Sequence, residues 1–221
     1  MDIKPYVDEI PGALARTAAL TGAALGVGIV LGLVVALARM GPVKPLRVAA
    51  TVYVETIRGI PLFVQILYLY YGVGYLIRTL YVPSPFVAAT AAFGLCYAAY
   101  IAEIFRAGLQ SVDRGQTEAA RALGLSRRAS MRHVVLPQAF RNILPALGNE
   151  GIALLKDTSL ASAVTINELT MTGRTITSIS YKPFEVWTVV ALCYLALTIP
   201  LSFTIRTLEA RLRVRGASHP D

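Results

Sequence analysis

Histidine, cysteine and tryptophan are almost missing from this chain: its 221 residues hold two histidines, two cysteines and one tryptophan. Cys96 and Cys193 both lie in apolar runs without a C-x-x-C spacing, so they read as small core or lipid-facing residues, not a disulfide or metal site. His133 and His219 have no clustered nucleophile, and neither G-x-S-x-G nor H-E-x-x-H occurs, which argues against catalysis by this chain. The phosphate-cradling pattern G-x-x-x-x-G-K-[ST] is absent as well, so the chain is not itself a P-loop nucleotide-binding subunit. Charge is also scarce. Only 15% of residues are charged while 55% are hydrophobic, a balance too apolar for an ordinary soluble domain and suited to a membrane protein. The opening "MDIKPYVDEI" carries three acids and one lysine, unlike the basic start of a cleaved signal, so the first apolar run is expected to stay in the mature protein.

What the sequence does have is long apolar runs. A bilayer core takes about 20 mostly apolar residues per helix. Five stretches meet this, at about 12–38, 60–80, 86–108, 142–165 and 184–207, which predicts an all-α polytopic membrane protein with five transmembrane helices in one unit spanning 1–221. The first stretch contains Gly22-x-x-x-Gly26 and Gly28-x-x-x-Gly32, small-residue spacings that let helices approach closely in lipid. If the segments after spans one, three and five lie inside, they carry fifteen of the twenty-one basic residues, including Arg39, Arg58, Arg106, Arg127, Arg128, Arg132, Arg213 and Arg215. The positive-inside rule then places the N-terminus outside and the C-terminus in the cytoplasm, and the net charge of +8 reports topology more than nucleic-acid binding.

The fourth stretch includes "GNEGIALLKDTSLAS", residues 148–162, where Glu150, Lys156 and Asp157 crowd into an apolar helix-like run. Each such charge costs about 2.5 to 3.5 kcal/mol near the bilayer centre on insertion scales. Positions seven apart return to nearly the same helical face, so Glu150 aligns with Asp157, and Asn149 with Lys156 on the adjoining face. Neighbours in sequence do not face each other, so an intrahelical pair of Lys156 with Asp157 does not account for the triplet. Two readings stand: pairing with other spans, with Lys156 snorkelling toward an interface, or a water-filled substrate site to which Thr158, Ser159 and Ser162 add hydroxyls. Two carboxylates and one ammonium leave one net negative charge, which complements a cationic amino acid.

Between spans three and four runs "GQTEAARALGLSRRASMRHVVLPQAFRN", residues 115–142. Thr117 is placed to cap a short helix with Glu118 near its positive end, and Gly124 to close it in a left-handed conformation. Ser126 then caps a second, basic helix expected to end near Pro137. This pattern also describes a DNA-binding helix-turn-helix, but flanking spans hold it close to a bilayer surface, which argues against nucleic acid. A solvated loop on anionic headgroups is the plainer alternative. Against it, Ala119, Ala120, Leu123 and Leu125 form a small apolar patch suited to docking on protein.

Glu118-Ala119-Ala120, Gly124 and, after nine intervening residues, Val134-x-Leu136-Pro137 resemble the EAA loop of bacterial ABC importer permeases, with Val in place of the usual Ile. "ETIRGIPLFVQI", "AAYIAEIFRAGL", "LPQAFRNILPALGNE" and "KDTSLAS" resemble the polar amino acid subfamily, and the resemblance covers about residues 12–210. It implies a permease subunit whose cytoplasmic coupling helix, here Thr117 to Leu125, docks on partner ATPase subunits. Those partners would hold the ATP and Mg, no cofactor being expected on this chain. It further implies a second permease copy or close relative, an extracytoplasmic solute-binding protein, alternating access in the inner membrane, and Glu150 and Asp157 as substrate contacts, with Glu103 from span three a further participant.

Glu103 and Arg106 stand three apart and can form an ion pair with a structural or gating role. Glu55 and Arg58 repeat that spacing on an expected interfacial helix ahead of Pro61. Tyr68, Tyr70, Tyr71 and Tyr75 suit an interfacial belt more than an aromatic cage. Two other functional classes remain beside the importer. A gradient-driven secondary transporter or channel would use Glu150 and Asp157 for coupling ions, yet has no use for an EAA helix. A recruiting membrane anchor leaves the intramembrane charges without a purpose.

Overall fold

The computed structural model describes residues 8–79 and 82–212, and these form helices joined by short turns. The segment before Asp8 and the expected cytoplasmic Arg213 and Arg215 lie outside the described residues. In chain order the helices are α1 (Ile10–Met40), α2 (Lys44–Gly59), α3 (Leu62–Leu67) and α4 (Gly74–Ile77), with a π turn, Tyr68–Val73, joining the last two. Then come α5 (Pro85–Gln110), α6 (Arg114–Ala122) and α7 (Arg127–Ser130), a second π turn over Met131–Val135, and α8 (Leu136–Asp157). A 3₁₀ helix over Thr158–Val164, α9 (Leu169–Ser180) and α10 (Pro183–Leu212) follow.

Three of these helices, α1, α5 and α10, are long and apolar enough to cross a bilayer, and a fourth crossing results if the bent pair α2 with α3–α4 is counted as one. The five expected spans are therefore not all met as continuous apolar helices. Expected span two begins only at Leu62 and meets amphipathic α2 at 110°, because Pro61 lacks an N–H and Ile60 is extended. Span four starts early, at Leu136, and Gln138, Arg141, Asn142, Asn149 and Glu150 leave it too polar to read as an apolar crossing. Its α-helix ends at Asp157 and tightens to 3₁₀, where the Thr158 hydroxyl takes the Leu155 carbonyl at 2.6 Å. Helix α9 lies outside the five expected spans: it buries Leu169, Thr172, Gly173 and Ile176 on one face, but its twelve Thr- and Ser-rich residues are too short and too polar to cross a bilayer.

The core centres on Leu20, Phe93, Ile101 and Leu154, all fully buried. Helix α1 lies against α5 along a seam of small residues. A Cβ on Gly32 would stand 2.8 Å from Ile101 Cγ2, and one on Gly94 2.5 Å from Val27 Cγ1, distances that real side chains do not tolerate. Of the two small-residue spacings in α1, Gly28 and Gly32 face this seam, whereas Gly22 and Gly26 face open space. Six residues separate Gly22 from Gly28, a turn of about 240° that puts the two pairs on different faces. Gly148 brings α8 equally close to α10 at Ile205. Helix α9 is tied down by Glu168, which is fully buried and accepts from the Thr170 and Met171 amides at 2.8 and 2.7 Å and from the Tyr194 hydroxyl at 3.0 Å.

Gly32→Val is expected to overpack the α1–α5 seam by about 1–3 kcal/mol. It should lower the thermal unfolding midpoint of the detergent-solubilised protein, while Gly22→Val should not; equal shifts for the two would contradict the seam.

Candidate functional site

Helix α8 carries Glu150 and Asp157 on one half-buried face and Asn149 and Lys156 on an exposed one, as seven-residue spacing requires. The Tyr97 hydroxyl of α5 donates to Asp157 Oδ2 at 2.6 Å. The Tyr97 ring lies 5.9 Å from that of Tyr100, one helical turn on, and the Arg58 guanidinium stands 5.8 Å above the Tyr100 ring. Glu150 is within electrostatic reach of both Asp157 and Arg58. Three helices, α2, α5 and α8, thus bring two carboxylates, one guanidinium and two tyrosines together.

The sequence residues are divided by this arrangement. Glu150 and Asp157 share a half-buried face two turns apart, Lys156 and Asn149 face outward, and Ser159 is half-buried at the start of the 3₁₀ helix. Thr158 is fully buried, with its hydroxyl committed to Leu155. Arg58, Tyr97 and Tyr100 are the residues that sequence reasoning missed as site members. Polar tips at Tyr97 and Tyr100, three apart in an otherwise apolar run, were a signal for one face of α5; Arg58 gave none beyond its isolation before Pro61.

Glu103 sits in a second cluster. Its carboxylate accepts from Arg39 Nη1 of α1 at 2.7 Å and pairs with Arg106 three residues on, the pair expected from the spacing. Arg39 also reaches Glu55 of α2 at 3.0 Å. Glu55 therefore joins Arg39, not Arg58, and the four groups tie α1, α2 and α5 together at one end of the bundle. Arg106 additionally donates to Gln110.

Beyond that end lies α6. Its N-cap is Asp113, whose Oδ1 accepts from the Gly115 amide at 2.7 Å, so the helix starts ahead of the expected Thr117 cap and contains Thr117, Glu118, Ala119 and Ala120. Asp is a strong capping residue and stands where the chain leaves α5, which displaces the weaker signal at Thr117. The other end is as expected. Gly124 has φ +85°, its amide donates to the Arg121 carbonyl at 3.0 Å, and the Leu125 amide donates to the Ala120 carbonyl at 3.1 Å, the paired bonds of a Schellman closure. Ser126 accepts from the Ala129 amide at 3.2 Å, the cap expected of it. The helix that follows does not stop at Pro137. The π turn at Met131–Val135 absorbs the missing proline N–H, and the chain runs on into α8. Ala120 is buried, Ala119 exposed, and Leu123 and Leu125 are 85% and 37% exposed, so this turn offers apolar surface outward.

Apolar helices around a half-buried charged cluster, with a rigidly capped short helix turned outward at one end, define a membrane-embedded transport subunit. A family model described as binding-protein-dependent transport system inner membrane component matches residues 28–214. The chain belongs to this family. It is 40% identical over 187 residues to the glutamine transport system permease protein GlnP of Escherichia coli (strain K12), covering 85% of each chain. To the L-cystine transport system permease protein TcyL of Bacillus subtilis (strain 168) it is 36% identical over 215 residues, covering 96% of this chain and 90% of the relative. The crystal structure of an amino acid ABC transporter with histidines matches with a TM-score of 0.86 at 39% identity, covering 96% of this chain and 99% of that one. The chain thus has the ABC permease fold and the EAA motif of a transport subunit rather than an enzyme, which decides against the gradient-driven carrier.

The Arg39–Glu103 contact is mostly buried, with side-chain exposures of 17% and 23%, whereas Glu55 is 65% exposed. A double-mutant cycle on thermal unfolding should give a coupling of about 1–3 kcal/mol for Arg39 with Glu103 and under about 1 kcal/mol for Arg39 with Glu55. Equal couplings would show the network to be a surface feature.

Proposed function

We propose that this chain is the membrane-spanning subunit of an importer for polar amino acids, with cationic ones as its preferred cargo. The observation that carries this is the cluster of Glu150 and Asp157 with Arg58. An amino acid needs an acceptor for its ammonium and a donor for its carboxylate once water is stripped away. The two acids supply the first, and the Arg58 guanidinium, whose planar fork matches a carboxylate, supplies the second. One negative charge is then left over, available to a cationic side chain. The balance expected from sequence has Lys156 as the cation; Arg58 takes that place here, Lys156 and Asn149 form the exposed rim that a substrate or second copy would meet, and half-buried Ser159 lies just inside it. Thr158 contributes shape through its buried hydroxyl. Glu103, held by two arginines, serves the gate end of the bundle in preference to the ligand. Permease relatives named for glutamine and cystine transport, and the structural relative with histidines, support an amino acid as cargo.

In this reading the chain lies in the inner membrane with its N-terminus outside and α6 and the C-terminus in the cytoplasm, and 1–221 acts as one permease domain. It pairs with a second permease subunit and receives its substrate from an extracytoplasmic binding protein. Partner ATPase subunits carrying ATP and Mg grip α6, with Glu118 and Gly124 as its fixed points and Ala119, Leu123 and Leu125 as the apolar contact. A short helix closed at both ends moves as a lever, so closing of the ATPases tilts the spans and exposes the cluster alternately to each side.

Two tests apply to the reconstituted complex. Glu150→Gln and Asp157→Asn should each raise the half-saturating concentration for arginine about tenfold, corresponding to about 1.4 kcal/mol, with a smaller effect on glutamine; unaltered transport of basic amino acids would end the charge-matching idea. Gly124→Pro forces a left-handed position toward φ of about −65° and should abolish substrate-stimulated ATP hydrolysis with the spans still inserted. Retained coupling would remove α6 from its role as the docking helix.

A further inference from the structure

The elbow between α2 and α3 leaves carbonyls at the end of α2 without helical partners, since Ile60 is extended and Pro61 has no N–H to offer. Gln65, 4% exposed in α3, answers both. Its Nε2 donates to the Ile57 carbonyl at 2.6 Å and to the Ile60 carbonyl at 2.6 Å. A primary amide supplies two donors on one uncharged atom, which no similarly sized apolar side chain can do, and carbonyls left bare in apolar surroundings are costly. Oε1 of the same side chain has no hydrogen-bond partner among the described residues. The amide is thus retained for its donor side, at the expense of a buried, unsatisfied acceptor.

The two carbonyls bracket Arg58 in sequence. Within α2, Ala50 and Val54 are buried, Tyr53 and Ile57 pack on the core and Glu55 pairs with Arg39, while Arg58, in the last turn, is exposed and lies 5.8 Å from the Tyr100 ring. From there the cluster continues through the Tyr97 ring, 5.9 Å from Tyr100, to the Tyr97–Asp157 hydrogen bond at 2.6 Å.

We propose that Gln65 is a positioning residue of the substrate site: by stapling the elbow it fixes the last turn of α2, and with it the height of the Arg58 guanidinium over Tyr100. This rests on Arg58 as the partner of the substrate carboxylate. Gln65 touches no substrate and acts through the backbone on either side of Arg58.

The test is a double-mutant cycle on the reconstituted complex, read as the half-saturating arginine concentration of substrate-stimulated ATP hydrolysis. Arg58→Ala should raise it about tenfold, and Gln65→Leu about fivefold with a far smaller change in maximal rate; the double variant should be no worse than Arg58→Ala alone. Gln65→Asn keeps the two donors on a stem one methylene shorter. It should fall between wild type and Gln65→Leu, and it carries the test if the leucine variant does not insert. A Gln65→Leu penalty that persists in full without Arg58 overturns the proposal and makes Gln65 a general brace of the fold. If Arg58→Ala alone leaves the concentration unchanged, the role given to Arg58 fails and the proposal falls with it, a result distinguishable from the first.

Discussion

A charge or bare carbonyl removed from water must find its partner inside the protein, and most of what is particular to this molecule follows from that constraint. Glu103 is answered by Arg39 and Arg106, Asp157 by Tyr97, and the end of α2 by Gln65. Buried Glu168 takes two backbone amides and a tyrosine hydroxyl at the start of α9. The Arg39–Glu103, Tyr97–Asp157, Gln65 and Tyr194–Glu168 bonds join different helices, so satisfying these polar groups also fixes how the helices sit against one another. The close seam between α1 and α5, possible because Gly28, Gly32 and Gly94 lack side chains, gives the bundle a rigid spine to which these contacts attach.

The two ends of the molecule are built by different means. Around Glu150 and Asp157 the chain departs from regular helix: α3 passes through a π turn and α8 tightens into 3₁₀ after Asp157. Tyr71 of that π turn donates to the Ala163 carbonyl of the 3₁₀ segment at 3.1 Å, so the two irregular stretches support each other. Irregular backbone of this kind is tolerated at membrane depth where it is enclosed by protein or lines a cavity, and it provides places for helices to flex. At the far end, α6 is closed by a capping aspartate and a glycine turn, and its apolar side chains point outward.

Much of this was legible from residue order. The helical, apolar character, the left-handed Gly124, the Ser126 cap, the Glu103–Arg106 pair and the shared face of Glu150 and Asp157 all rest on local geometry or on a period of 3.6 residues. Of the four tyrosines expected as a belt, Tyr68, Tyr71 and Tyr75 are exposed, whereas Tyr70 packs half-buried on the core. The errors also have local causes. Asp113 outcompeted Thr117 as a cap, a π turn carried the helix across Pro137, and α9 is too short and too polar to stand out as a span.

The sequence by itself determined that this is an apolar helical protein bearing an EAA-type loop and an acidic helical face, because these depend on side-chain chemistry and near neighbours in the chain. Only the tertiary structure decided which groups meet that face. Tyr97 lies 60 residues from Asp157, and Arg39 lies 64 residues from Glu103. Such partners are chosen by how closely whole helices pack, which is why Arg58 of α2 came to lie over the Tyr100 ring of α5 while Lys156, the immediate neighbour of Asp157, turned to the outer surface.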